Sequence, residues 1–530
     1  MATFHPTRRG ALRSAALATV ALAGTGLPAA AQAQEISIGL SGNVTSMDPH
    51  FHNLSPNNNV AAHVFDRLVH HDERQRVGPG LAVSWKPIDD LTWEFRLRPG
   101  VRFHDGSEFG AEDVVATLRR VPWVPNSPSP FTLYTRAIVA TEVVDKLTIR
   151  FRTRAPWPLL PNDLATVSIV HRSMAEAPTG EFNAARASIG TGPFRLVEFV
   201  PNDRVVLARN DAYWGPRPHW QKATLRIIVN DAARTAAMLA GDVGMIEAVP
   251  TTDLARLKAS PQVAVQQVTS NRLIYLAMDQ ARDQTPHATD KAGQALAANP
   301  LKDLRVRRAL SKAINRQAIV ERLFEGSAIP AGGFLPDGFF GVSPRLRPDA
   351  LDIEGARRLL AEAGYPNGFE TQLMCPNNRY VNDERICTAL SAMLAKVGVK
   401  VTLTLLPRAQ FFQKVDQFDF AMHLYGWGGG ATDPGLVLGP LLHSPDGTGR
   451  GDFNSGRFKD AQLDALIQKS ETEMDVARRA TMLEEALQRV RGEAYTIPLH
   501  RQFIPWAVRK GVSIQHRADN SPEMIWVKVP

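Results

Sequence analysis

The first third of the chain alternates apolar and polar residues in steps of two. In Thr92–Leu97 the large side chains Trp93, Phe95 and Leu97 share one face, as a half-buried strand requires. Pro99-Gly100 predicts a turn into Val101-Arg102-Phe103 as the second arm of a hairpin, and 146–151 repeats the alternation. Between them Ala111–Arg120 has helical spacing, with Val114, Val115 and Leu118 on one side. Beyond residue 300 the rhythm changes to helix followed by strand. Asp303 can cap a helix with the stripe Val306, Leu310, Ala313, Ile314, Val320 and Leu323, closed by Gly326. Helices are also predicted over 353–363, 384–397 and 475–490, with strands over 399–403 and 418–425.

Helices alternating with apolar strands predict an α/β protein built on open sheets covered by helices. Ligands of such sheets lie beyond the carboxyl ends of the strands. Two loops answer that description, 375–383 and 426–435, and they are the leading site candidates.

Composition narrows the class. At 530 residues the chain exceeds one compact core, and 44% hydrophobic with 22% charged residues excludes a disordered or collagen-like polymer. Two cysteines exclude a disulfide-built scaffold and most cysteine-rich zinc modules. The net charge of +8 raises nucleic acid as a partner, but Arg8, Arg9 and Arg13 belong to a leader. The later clusters Arg119-Arg120, Arg305 to Arg308, Arg357-Arg358 and Arg478-Arg479 read as solvated helix faces, so no nucleic-acid partner is expected. The leader itself joins Arg8-Arg9, an alanine-rich run and Ala31-Gln32-Ala33, the layout of an export signal over 1–33 with cleavage near Ala33. Its paired arginines favour the twin-arginine route over the general one. A soluble periplasmic protein is expected, without a lipid-anchoring cysteine.

Several ordered motifs then identify a relative. Leu81-Ala82-Val83-Ser84-Trp85, the run 92–106 ending in Phe103-His104-Asp105-Gly106, Gly190-Thr191-Gly192-Pro193-Phe194, Asp211-Ala212-Tyr213-Trp214, Glu362-Ala363-Gly364-Tyr365-Pro366 and Gly426-Trp427 with Asp433-Pro434 resemble the family-five extracellular solute-binding proteins. These are dipeptide, oligopeptide and nickel-chelate receptors of bacterial ABC importers. The resemblance implies two lobes around a hinge cleft, with the first lobe carrying an inserted third subdomain. Carried onto this chain, lobe I comprises 34–76, 190–270 and 500–530, the insertion 77–189, and lobe II 271–499. It implies a monomeric receptor that is not an enzyme, needs no cofactor, and hands a small solute to an inner-membrane permease and its ATPase. An exported hydrolase is disfavoured by the lack of a G-x-S-x-G elbow or an H-E-x-x-H helix. A periplasmic chaperone or sensor partner is a more remote alternative.

The resemblance places Trp427 on the cleft wall, with the backbone of Gly428, Gly429 and Gly430 approaching the ligand and Asp433 in register. In peptide-binding members an aspartate three residues after this tryptophan grips the peptide ammonium, and here Gly430 stands there. A peptide-like or peptide-derived solute that lacks that free amine, or whose amine meets a different acid, is therefore expected, or else an organic anion or nickel chelate. In the other loop Arg379, beside Tyr380, is either a bidentate partner for a carboxylate or a surface charge. Cys375 and Cys387 either bridge across this loop or remain two buried thiols. Trp123 and Trp157, in proline-rich loops, either stack on ligand or pack in a core. No metal site is expected. Phe103-His104-Asp105-Gly106 reads as a tight turn, and His70-His71-Asp72 as a solvated pair whose side chains point apart.

Overall fold

The structure is a computed structural model describing residues 34–72, 75–377, 379–428, 432–515 and 517–529. The export segment therefore lies outside the described residues, as do Gly429 and Gly430. No described helix is long and apolar enough to cross a membrane.

The fold is mixed α/β with two lobes. Two long strands, Val263–Met278 and Ile497–Arg509, run antiparallel to each other through both lobes. Their register breaks between Thr269 and Leu273, where the pair passes from one lobe to the other. On the first side they continue through Met245–Ile246, Glu35–Leu40, Lys222–Ile227, Arg204–Arg209 and Phe194–Val200. On the second side they continue through Met422–Trp427, Glu370–Pro376 and Lys400–Leu406, the last three mutually parallel where they pair. A separate antiparallel sheet of four strands, Ala82–Asp89, Thr92–Leu97, Thr148–Thr153 and Ile138–Asp145, forms the core of the inserted subdomain.

The alternation of side chains on a strand explains how one sheet supports two cores in the second lobe. Ile274, Leu276 and Met278 face the helices Leu304–Ala313, Arg316–Phe324, Ile353–Glu362 and Asp383–Ala395. Leu273, Tyr275 and Ala277 face the opposite layer, built on Gly435–Leu442, Ala461–Thr472 and Val476–Gly492. Caps fix the helix starts: Asp303, Asp352, Asp460 and Asp475 each accept a first-turn N–H.

Three expectations need correction. The helix beginning after Asp303 is two helices, because Ile314 turns extended and Asn315 caps a second start through the N–H of Ala318. The hairpin after Pro99-Gly100 does not form; Thr92–Leu97 pairs with Ala82–Asp89 and Thr148–Thr153 instead. The solvated-face reading fails for Arg120, Arg307 and Arg479, which are buried. Arg120 meets Asp48, Arg307 donates to the carbonyls of Leu301, Lys302 and Glu493, and Arg479 meets Asp433. Helical spacing places a side chain on a face but cannot show which faces another segment covers.

The glycine and tryptophan motifs converge on one joint. A Cβ on Gly190 would lie 1.8 Å from the carbonyl oxygen of Val64, so this position tolerates glycine alone. Asp66 accepts from the hydroxyl of Thr191 (3.0 Å), the indole of Trp214 (2.8 Å) and the hydroxyl of Tyr213 (3.3 Å). His104 lies within 3.0 Å of the carbonyl of Gly192, and burial pushes its imidazole down to about 4. The turn 103–106 has Gly106 at φ +90°, with Asp105 accepting from Ser107. These motifs therefore lock the insertion onto the first lobe.

Candidate functional site: the interlobe cleft

The parallel strands Glu370–Pro376 and Met422–Trp427 release their following loops at one sheet edge, the edge at which the long strands cross between lobes. The two loops touch directly. The hydroxyl of Tyr380 accepts the N–H of Gly426 at 2.9 Å, and a Cβ on Gly426 would meet the Tyr380 ring at 2.7 Å. Tyr380 is thus a buried prop, with its ring in the core. Asp383 shapes the first loop by accepting the N–H groups of Arg379 and Tyr380, both at 2.9 Å. Cys375 and Cys387 are joined in a disulfide with Cα atoms 6.6 Å apart, tying the strand before this loop to the helix after it.

Arg379 is half-buried, its guanidinium 5.1 Å from the Tyr380 ring centre and its Nε buried without a hydrogen-bond partner. Arg272, on the crossing strand, is its neighbour. Burial, and then the positive charge of Arg379, lower its pKa, and no carboxylate is among the charges acting on it. A Cβ on Gly428 would lie 2.3 Å from the Arg272 Cα, which explains a small residue there. Two guanidiniums near each other with no compensating acid among the described residues make a place where an anion would relieve repulsion. Nothing in the sequence marked Arg272, because its sequence neighbours spell an ordinary strand.

Other expected contacts are otherwise engaged. Trp427 packs on Phe453, ring centres 5.1 Å apart, and on the second-lobe core. The carboxylate of Asp433 is gripped by both terminal nitrogens of Arg479 at 2.7 Å and also accepts the N–H of Gly435. Its charge is not free for a solute, although the residue lines a cavity. Trp157 donates to Asp163 at 2.7 Å and accepts from Trp93 through its carbonyl, so it packs within the insertion rather than presenting an indole edge. Trp123 is 80% exposed and lines neither of the two cleft cavities. His70 and His71 are not simply solvated: His70 approaches Asp66 at 3.5 Å, and burial, with Arg517 and Arg67 nearby, pushes His71 down to about 3. Among the described residues no cluster of three or more metal-ligating side chains occurs.

Two cavities lie between the lobes. A polar one of about 280 Å³ is bordered by Asn58, Arg67, Asp163, Thr432 and Arg517. A second, of about 400 Å³, lies between the insertion and the second lobe. They share Gln75, Asn162 and Thr432, and the amide of Asn162 donates across the cleft to the Thr432 hydroxyl at 3.2 Å. Gln75, Asn162 and Thr432 were invisible to motif reading, since their proximity arises only from the long-range assembly.

Asp163 carries a pH consequence. Burial pushes its carboxyl up to about 7, against the opposing hydrogen bond from Trp157. The folded protein then holds this proton at pH values where the unfolded chain has released it. The stability contribution is full below the ordinary aspartate range and is lost as pH rises through about 7. Asp163→Asn should therefore raise the melting temperature at about pH 8 and leave it little changed at about pH 4, where wild type is protonated too. Equal melting shifts at both pH values would show that the carboxyl is ionised throughout.

Residues 76–449 match the profile described as bacterial extracellular solute-binding proteins, family 5 middle. The chain belongs to this family. Heme-binding protein A of Haemophilus influenzae is 29% identical over 465 residues, covering 82% of this chain and 81% of that one. The glutathione-binding protein GsiB of Pectobacterium atrosepticum is 28% identical over 469 residues, 87% of each. The solved structure of HbpA2 from Haemophilus parasuis superposes with a TM-score of 0.80 at 24% identity, covering 94% of this chain and 100% of that one. The family-5 relatives are solute-binding receptors of a two-lobed fold, and the likeness to HbpA2 extends through the insertion.

Proposed function

We propose that the chain is a monomeric periplasmic receptor that captures a small polar, peptide-like or peptide-derived solute and delivers it to an ABC importer. The reading rests foremost on the pair Arg272 and Arg379 at the carboxyl edge of the second-lobe sheet, which no acid compensates among the described residues and which lines neither of the two cavities. The pair calls for a carboxylate or other anion on the solute. Gly430 supplies no acid for a free amine, so an N-blocked solute suits the site as well as a free peptide. The same arginines favour an organic anion or anionic metal chelate as the second reading. The lobes, divided near 271 and 499, close by bending the two crossing strands where their register already breaks. Residues 1–33 direct export and are removed near Ala33, and the receptor performs no catalysis.

Calorimetry tests this with paired compounds, a dipeptide and its N-acetyl form. Comparable affinities are expected, and tight binding of the free dipeptide alone would overturn the reading. Arg379→Ala should weaken a carboxylate solute by about 10- to 150-fold, the value of one charge-assisted hydrogen-bond set. It should leave the corresponding carboxamide unaffected.

A further inference from the structure

We infer that the cavity between the insertion and the second lobe is an apolar annex of the cleft that takes the aromatic or bulky apolar group of an amphipathic solute. The inference deepens the receptor reading and rests on it. The cavity holds about 400 Å³ and is walled by Trp85 and Trp93 from the inserted sheet and Phe339, Phe340 and Met474 from the second lobe. That volume suits a ring-sized group. Trp85 is backed by Phe95 in a stacked arrangement at 6.1 Å, and Trp93 is fixed by its indole bond to the carbonyl of Trp157, so the walls are pre-formed.

The charges at the rim are already satisfied. Arg479 holds Asp433, Glu473 holds Arg478, and Arg76 holds Asp72. Among the described residues the cavity therefore presents no free charge to a solute and selects against a charged occupant. The polar requirement lies at its neck. Gln75 is 2% exposed, with φ +61°, lines both cavities, and its Nε2 is buried without a partner. A solute carbonyl at the neck would accept from that amide. Polar cavity, hydrogen-bonding neck and apolar annex in sequence describe a solute with a polar end, an amide or ester link, and an apolar end.

The test compares N-benzoyl-glycyl-glycine with N-acetyl-glycyl-glycine by calorimetry on the full mature chain. The benzoyl compound should bind about 10- to 100-fold more tightly, the worth of burying a phenyl ring. Val476→Asp, at a residue of the cavity wall that is 64% exposed, should erase that preference without lowering the melting temperature or the acetyl affinity. Met474→Glu serves as the second variant. Equal affinities in wild type, or a preference surviving both substitutions, would overturn the inference. A separate arm titrates 3-phenylpropionate against tryptophan fluorescence. If neither peptide binds but this acid gives a saturable signal that Val476→Asp abolishes, the annex stands and the peptide-like solute falls. If neither the peptides nor this acid gives a saturable signal, the annex falls.

Discussion

Arg479→Met is expected to lower the unfolding free energy by about 3–5 kcal/mol, the cost of leaving one member of a buried ion pair alone. Asp433 and Arg479 are 3% and 5% exposed. Arg479 grips both carboxylate oxygens and also donates through Nε to the carbonyl of Ser470, at the end of the preceding helix. The pair thus joins two helices to the turn that follows the glycine-rich stretch. Lysine cannot reproduce a planar fork, so Arg479→Lys should lose most of the same stability. The double variant Asp433→Asn/Arg479→Met should be far less damaged than the sum of its single changes, because no lone charge remains buried. Urea denaturation of wild type, Arg479→Met, Arg479→Lys, Asp433→Asn and the double variant checks this. A loss below about 1 kcal/mol in the single variants would mean that the pair is as weak as a solvated one. Both residues border a cleft cavity, so Arg479→Met should also weaken solute binding at temperatures where the protein remains folded.

That pair shows where a sequence stops being legible. Local order was readable: the strand Thr92–Leu97, the helix Ala111–Arg120 and the cap Asp303 follow from alternation, helical spacing and capping chemistry within short windows. The break at Ile314-Asn315 was also local, but the continuous apolar stripe outweighed the capping signal of a single asparagine. Asp433 and Arg479 are separated by 46 residues, and each had a plausible role alone, one as a ligand and the other as a solvated charge. Only the packing of Val476–Gly492 across the second-lobe sheet brings them together. Arg272 and Gln75 escaped for the same reason, since an unpaired polar group is defined by what fails to surround it. Several of the motifs carrying the family resemblance build the joint around Asp66, whereas Gln75, Asn162 and Thr432 at the cavities belong to none of them.

Reducing the Cys375–Cys387 bond should lower stability by about 3 kcal/mol, from the entropy returned to an unfolded chain freed of a loop of this length. The two residues are separated by 12 positions and both are fully buried, so native protein should resist reductant. The comparison is therefore between chains refolded from denaturant with and without a thiol, with intact mass confirming the difference of two hydrogens. Both cysteines belong to the core that also holds Ile386, Leu390 and Tyr380, and that packing should let the reduced chain refold to the same structure. The loop it encloses carries Arg379, whose guanidinium pairs with no acid among the described residues and owes its position to the backbone on either side. Freed of the bridge, Arg379 and Arg272 can move apart to lower their mutual repulsion. The reduced protein should accordingly lose affinity for a carboxylate solute while its circular dichroism stays unchanged. Unaltered affinity would show that Asp383, through its bonds to the N–H groups of Arg379 and Tyr380, suffices to position the loop.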